Sequence, residues 1–478
     1  MRVTRSLAIL ALLSFPAATV AAQAATSLSQ QVRQYVSASE PVVALTNVTV
    51  IDGTGSAPKP NQTIVIQNGR IAEVGPASSV RAPAGARTMD LAGSTVIPGI
   101  VGMHDHLFYT AAGGRAAQMS FTGPRLYLGS GVTTIRTTGG RAPYAEINTK
   151  EAIDSGRTPG PRVHLTAPYI TGGSGGSAGS MAEITTPEAA RRFVAYWAQE
   201  GATWIKAYTD IRRAELQAAI DEAHKRGMKV TGHLCSVSFR EAVELGIDNL
   251  EHGLLTATDF DPQKKADLCP PGSVGRVSVA SMTSDTASST IAAMTKKGVG
   301  MTSTLAVYEP FVPNRPVKDE RTLEAMSPEV RQAYLGIRTQ IDTAKNWAFT
   351  PAALKNAMAF EHAFVKAGGL LAAGVDPTGF GGALPGFGDQ RNYELLIEAG
   401  FTPAQTVQIM TLNGAKILGV SDKLGTVERG KLADLVVLQG DLAADPSVIR
   451  KVTTVFKDGV GYDSAKLIAA VKGRVGID

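Results

Sequence analysis

Apolar and polar positions fall into three regimes along the chain. Near the start, residues 7–20 are apolar apart from Ser14, Pro16 and Thr19. From Pro41 to Thr95, short apolar runs are closed by turn residues. Run 48–51 leads into Asp52-Gly53-Thr54-Gly55 and 63–66 into Asn68-Gly69, with 71–74 and 94–97 following. Such runs read as strands, and Asn-Gly between two of them as a hairpin. The far end has the same texture, with 433–438 and 452–456 ahead of Lys457-Asp458-Gly459. The two β-rich ends predict one small β-sandwich built from residues 41–95 and 420–478, and 25–40 reads as a polar leader segment or short helix.

The middle is patterned differently. Eight short apolar runs, at 95–101, 133–136, 162–165, 203–207, 229–231, 249–251, 300–302 and 370–374, alternate with helical stretches such as 186–201, 212–227 and 354–367. This alternation predicts an α/β chain whose residues 96–419 form a (β/α)8 TIM-like barrel. An open doubly wound sheet is the competing arrangement; the lack of a GxGxxG after an early strand counts against its dinucleotide-binding form. A barrel collects its catalytic groups at the C-terminal ends of its strands. The run TGGSGGSAGS at 171–180, just after the third strand, is either a mobile lid or a plain surface loop.

Composition narrows the class. With 44% hydrophobic and 19% charged residues over 478 positions there is material for a full core, which excludes a disordered or fibrous chain. Aromatics at 6% and scattered basic residues offer no platform for nucleic acid. Arg2 and Arg5, the apolar run and Ala22-Gln23-Ala24 together read as a signal peptide over residues 1–24, predicting a periplasmic or secreted protein. The run falls short of the ~20 residues that span a bilayer, and no later stretch replaces it, so no membrane association is expected once the signal is removed. With Arg2 and Arg5 set aside, 45 basic residues face 42 acidic ones, a balance of +3 that argues for no particular partner. Cys235 and Cys269 are the only cysteines, either one disulfide or two separate thiols, and neither sits in a CxxC.

The chemistry begins at Met103-His104-Asp105-His106. On a strand, alternate side chains share a face, so His104 and His106 point together and can grip one metal ion while Asp105 points away. Lys206 lies in Thr203-Trp204-Ile205-Lys206-Ala207-Tyr208, a strand otherwise fit for burial. A buried ammonium needs a partner, so Lys206 is either in an internal salt bridge or a neutral amine able to capture carbon dioxide as an anionic carbamate. His233 and His252 each close a strand, and Asp376 follows the last one.

This ordered set resembles the amidohydrolase superfamily: HxH on the first strand, Lys on the fourth, His on the fifth and sixth, Asp on the eighth. The runs VIPGIVGMHDHL at 96–107 and GTVERGKLADLVVL at 425–438 carry the likeness across nearly the whole chain. Within the superfamily the chain is most similar to the binuclear dipeptidase-like and imidazolonepropionase-like group with a carbamylated lysine; mononuclear deaminases generally lack the lysine. The resemblance implies two divalent ions, most often zinc. His104, His106 and Asp376 would hold one, His233 and His252 the other, and carbamylated Lys206 would bridge them. It further implies that a bridging hydroxide attacks a polarised carbonyl, with Asp376 taking its proton and passing it to the leaving amine. Two departures weaken any transfer of substrate preference. No His follows Gly172-Gly173 in the third-strand loop, and Lys206 continues as Ala207-Tyr208.

Around this set, Tyr208 and Tyr308 are candidates to bond a substrate carbonyl, and Arg115, Arg136 and Arg391 to bind a substrate carboxylate. Glu251 is expected to alternate away from the metals and to be packed or hydrogen-bonded behind its strand. His164 is placed near a strand end, whereas His224 and His362 read as structural. The expected function is an exported metal-dependent hydrolase of an amide bond, peptide-like or in an N-acyl amino acid. A lactone, ester or phosphotriester hydrolase on the same metals is the near alternative, and a non-catalytic binding barrel the distant one. The expected partner is a small molecule with an amide or ester-like bond, and self-association stays open.

Overall fold

The computed structural model describes residues 27–110, 116–173, 181–315, 319–345, 347–378 and 381–477. The expected signal peptide, Arg115 and most of the glycine-rich run at 174–180 lie outside them.

Strands and helices alternate through the middle of the chain, making the protein α/β. Two wholly parallel sheets result. One has the strand order Arg162–His164, Val132–Thr137, Ile100–Asp105. The other runs Ala182–Glu183, Thr166–Thr171, Trp204–Ala207, Lys229–Gly232, Asn249–Glu251, Gly300–Ser303, Leu371–Ala373. Val132–Thr137 and Trp204–Ala207 are buried along their whole length, as expected where helices cover a parallel sheet. The sheets meet at their far edges, where the Asp376 amide donates to the His104 carbonyl at 2.8 Å. Gly374 makes this approach possible, since a Cβ there would stand 2.2 Å from the His104 nitrogen. Because the strands are parallel, their C-terminal ends share one edge.

The covering helices start and stop where the local chemistry dictates. Thr186 caps Pro187–Gln199 by accepting from the Ala189 amide, and Thr350 caps Pro351–Lys366 in the same way. Phe239–Leu245 opens with a Ser238/Glu241 capping box and ends at left-handed Gly246.

The chain ends join in a nine-stranded mixed sheet. Its order is Val36–Ala38, Val460–Asp463, Val452–Lys457, Leu435–Gln439, Ser94–Pro98, Val42–Val50, Lys59–Gln67, Arg70–Pro76, with Arg87–Asp90 paired on Val42–Val50. Val43, Ile64, Val96, Leu435 and Phe456 share one apolar cluster across it. The Asn68-Gly69 turn has positive φ at both residues, 51° and 74°, as a tight hairpin requires. The 25–40 stretch is not merely a leader: it forms a helix at Gln30–Arg33 and contributes the Val36–Ala38 strand.

One strand expectation is corrected. Run 95–101 is two strands: Ser94–Pro98 pairs antiparallel with Leu435–Gln439, and Ile100–Asp105 pairs parallel with Val132–Thr137. Gly99 is the break, packed so closely on Thr133 that a Cβ would lie 2.1 Å from its Oγ1. Continuous hydrophobicity hides such a corner, because both halves are buried. Among the described residues no helix is long and apolar enough to cross a membrane.

Candidate metal centre

His104 is the penultimate residue of the Ile100–Asp105 strand and His106 follows that strand, with ring centroids 5.3 Å apart. Each ring is fixed by its Nδ1. That of His104 donates to Glu251 Oε2 at 2.7 Å, and that of His106 to the Gly139 carbonyl at 3.1 Å. Both Nε2 atoms are thereby turned toward Asp376, at 3.7 Å for His104 and 3.3 Å for His106. An Nδ1 bonded away from the site, with Nε2 facing into it, is the usual posture of a metal-binding imidazole; the His106 Nε2 also meets the Tyr169 hydroxyl at 3.4 Å.

Lys206 is 1% exposed, and among the described residues its Nζ has no hydrogen-bond partner. Burial pushes its ammonium down to about 8. Of the two readings of Lys206, the internal salt bridge finds no carboxylate partner among the described residues. His233 follows the Lys229–Gly232 strand; its ring lies 4.4 Å from His252 and 4.8 Å from Tyr208. His252 Nδ1 is 2.7 Å from Thr304 Oγ1, and its Nε2 is buried without a partner among the described residues.

His252 and Asp376 both have positive φ, 68° and 47°. Left-handed backbone is uncommon for non-glycine residues and tends to gather where side chains must be aimed. At Asp376 it turns the carboxylate back onto the imidazoles, and Thr378 Oγ1 donates to it at 2.8 Å. Burial alone would raise the Asp376 pKa, but the neighbouring His104, His106 and Thr378 hold it well below the carboxylate range. Burial, then the Lys206 charge, lowers His104 strongly and brings His233 to about 3. Neutral imidazoles beside an ionised carboxylate are the protonation states that metal binding needs.

The expectation that Glu251 is packed and hydrogen-bonded holds, but one of its partners is the candidate ligand His104. The strand ends at Glu251, and His252 after it is left-handed. Glu251 sits beneath the centre, fully buried, bonded to His104, Arg136, Thr231 and Asn249. Burial would raise its pKa, but Arg136 and Lys206 reverse the shift. The expectation for Arg136 is corrected. Completely buried, it donates to Glu251 and the Met103 carbonyl and stacks 4.5 Å from the Trp204 ring centroid, so it cannot meet a substrate. Arg391 is engaged as well, by Glu309 at 2.7 Å and by Glu394, beside a separate cavity of 250 Å³.

The centre opens into a cavity of 330 Å³ lined by His104, His106, Lys206, His233 and Asp376, with Tyr208 and Tyr308 at its sides. Tyr169 and Arg141 also line it; neither was expected from the sequence. His164 does not line it, His224 pairs with Asp248 at 3.0 Å, and His362 packs on Phe401. Cys235, two residues after His233, is bridged to Cys269 with Cα atoms 5.0 Å apart, so the single-disulfide alternative is the one observed.

Residues 95–260 and 388–461 match the model of the amidohydrolase family. The chain belongs to the amidohydrolase family. A Bifidobacterium longum protein provisionally named a prolidase is 26% identical, with 90% of this chain and 98% of that one covered at a TM-score of 0.65. A Xaa-Pro dipeptidase solved with methionine in its active site is 20% identical, over 88% of this amidohydrolase and 100% of its own chain, at a TM-score of 0.66. A bottromycin amidohydrolase is 18% identical, over 90% and 91%, at a TM-score of 0.67. These last two likenesses concern the fold alone. No curated protein matches the sequence.

As an amidohydrolase the chain is a hydrolase acting on C–N bonds. Members of the family use divalent metals, and the residues present fit such ions. His104, His252 and Asp376 offer ligand atoms within 4.8 Å of one another, while Lys206 Nζ and His252 Nε2 are buried polar atoms lacking any other partner among the described residues.

Proposed function

We propose that the protein is an exported, binuclear metal-dependent hydrolase that cleaves an amide bond in a small peptide-like molecule. The observation that carries this reading is the Lys206 amine, buried without a partner beside Asp376 and the imidazoles. As a carbamate it would become the anion that two cations can share. His104, His106 and Asp376 would hold one ion, and His233 and His252 the other. Zinc suits this set of nitrogen and oxygen donors, though it is not alone in doing so. Such ions supply Lewis acidity and a water that loses its proton near neutral pH.

The chain's own residues do the rest. Asp376, kept ionised by its neighbours, accepts the proton of the attacking water and delivers it to the leaving nitrogen. Thr378 holds the carboxylate in place while it does so. Tyr208 and Tyr308 flank the cavity, where a hydroxyl can orient the substrate carbonyl. A cavity of 330 Å³ suits a small molecule rather than a protein chain.

The same reading takes the two parallel sheets as one closed (β/α)8 barrel over residues 96–419, supported by the Asp376–His104 backbone bond across their edges. It takes the terminal sheet, 41–95 with 420–478, as a β-sandwich domain. Export rests on the N-terminal pattern and is supported by the Cys235–Cys269 bridge, since disulfides persist in oxidising compartments.

The test is metal analysis of purified protein followed by hydrolysis assays on dipeptides, N-acyl amino acids, lactones and phosphotriesters. Two ions per chain and release of amine from amide substrates are expected. Product from the lactones or phosphotriesters alone, or a chain that binds no metal, would overturn the assignment.

A further inference from the structure

We propose that the 250 Å³ cavity beside Arg391 is a second small-molecule site, separate from the metal cavity, and that it takes an uncharged aromatic molecule of one or two rings. The proposal goes beyond the amide-hydrolase reading and does not rest on it.

One stretch of chain divides the two cavities. It is the helical turn Leu305–Tyr308 and the short 3-10 turn Glu309–Phe311 that follows it. Ala306, Glu309 and Pro310 line the second cavity, whereas Val307, Tyr308 and Phe311 line the metal cavity. Among the described residues none lines both. Across from this wall, a Cβ at Gly382 would lie 2.6 Å from the Tyr334 ring, so that ring is seated directly on the glycine backbone. Leu335, the next residue of the Pro328–Thr343 helix, is 37% exposed and marks the opening.

Three arginines and three carboxylates line the cavity, and each is paired. Glu309 meets Arg391 at 2.7 Å, Asp342 meets Arg338, and Asp319 meets Arg450 at 3.4 Å. Arg391 and Arg450 are both held by Glu394 as well, and Asp319 by Arg321 at 2.7 Å. This chain of alternating charge ties together segments far apart in sequence and holds the walls in place around the space. It also selects the ligand. A charged molecule would have to take a partner from one of these pairs and strand the group left behind, which is costly in a partly buried setting. An uncharged molecule leaves every pair intact.

Between the pairs the wall is largely apolar, with Ala306, Pro310, Leu323 and Phe387. Water finds few partners on such a surface. An apolar cavity of about 150 Å³ admits benzene, so 250 Å³ has room for one or two rings. Tyr334 and Phe387 offer ring surfaces, which another aromatic ring matches well. The Tyr334 hydroxyl and the Asn314 amide are there to bond a single polar group. Indole, two fused rings with one N–H and no charge, is the probe that fits this description.

Calorimetry with indole tests this on the protein as purified and after chelator treatment, with tryptamine and indole-3-acetate as charged counterparts of the same ring. Indole is expected to bind at one site per chain, about 10-fold or more tightly than either charged form, because these must break a pair. Chelator treatment should leave its affinity unchanged, since no candidate metal ligand lines the cavity. Ala306→Met extends a side chain into the space, and Leu335→Ser removes apolar wall at the opening. Each should weaken indole about 10-fold, within the range for a changed contact in an apolar pocket. Leu335→Ser lies on an exposed helix face, so it reads the site even where Ala306→Met does not fold. A crystal soaked in indole should show the ring between Tyr334 and Phe387. No binding to wild type, equal binding of the three compounds, loss of binding with the metal, unaltered binding by Leu335→Ser, or indole in the metal cavity alone overturns the proposal.

Discussion

Glu251 Oε2 accepts the Nδ1 proton of His104 at 2.7 Å from beneath the metal centre, and its other oxygen is held by Arg136 and Thr231. One buried carboxylate thus sets both the tautomer and the tilt of a histidine that faces Asp376. Glu251→Gln should lower metal affinity about 10- to 100-fold, the usual cost of disturbing a group that orients a ligand. Titration with zinc against a competing chelator measures it. Unchanged affinity would show that His104 needs no orienting partner.

Asp376→Asn keeps one oxygen able to ligate but removes the proton carrier. Turnover should fall about 100- to 10,000-fold, the range for general acid–base catalysis, while the circular dichroism spectrum stays that of wild type. A variant that hydrolyses amides at the wild-type rate would assign proton transfer to another group.

Lys206→Met separates two roles of one amine. In chelator-treated protein the substitution should stabilise the fold by about 1–3 kcal/mol, because a buried unpartnered donor is removed. In metal-replete protein it should instead lower the metal content below that of wild type, and wild-type loading should rise with added bicarbonate. Thermal melts with and without chelator, alongside metal analysis, read both effects.

The Cys235–Cys269 bridge closes a loop with a sequence separation of 34. The chain-entropy argument assigns such a loop about 4 kcal/mol. The paired substitution Cys235→Ser with Cys269→Ser should lower the Tm accordingly and loosen the segment that follows His233. Differential scanning calorimetry on oxidised, reduced and substituted protein provides the comparison.

Glu361 is fully buried and raised by desolvation from 4.5 to about 8. A carboxyl raised in the folded state contributes its stability below the unfolded value near 4.5 and loses it as pH climbs through 8. The Tm of wild type should therefore decline between pH 5 and 9 partly on this account. Glu361→Gln should decline less over the same range; equal slopes for the two proteins would remove Glu361 as the cause.

The strand and helix positions were legible because the middle of the chain alternates between short runs buried on both faces and helices with clear capping residues. Corners were not. Gly99 divides run 95–101 between an antiparallel and a parallel sheet, and both halves are equally apolar, so hydrophobicity carries no mark of the change. The placing of Arg136 failed for a related reason: position after a strand does not say whether a side chain ends beneath the centre or above it.

The amino-acid order determined which residues gather. In a set of parallel strands the C-terminal ends share an edge, so the two histidines of HxH, a lysine in an apolar strand, two later histidines and a late aspartate must approach one another. Tertiary structure decided how each is aimed. Glu251 meets His104 Nδ1 at the end of its strand, His252 after it is left-handed, and the Gly139-Gly140 turn precedes Arg141 at the cavity wall. The approach of Cys235 to Cys269 makes a bond that spacing alone leaves open. Residue type and period are local properties, whereas the direction of a side chain beyond a strand end depends on a few backbone angles that only the packed neighbours select.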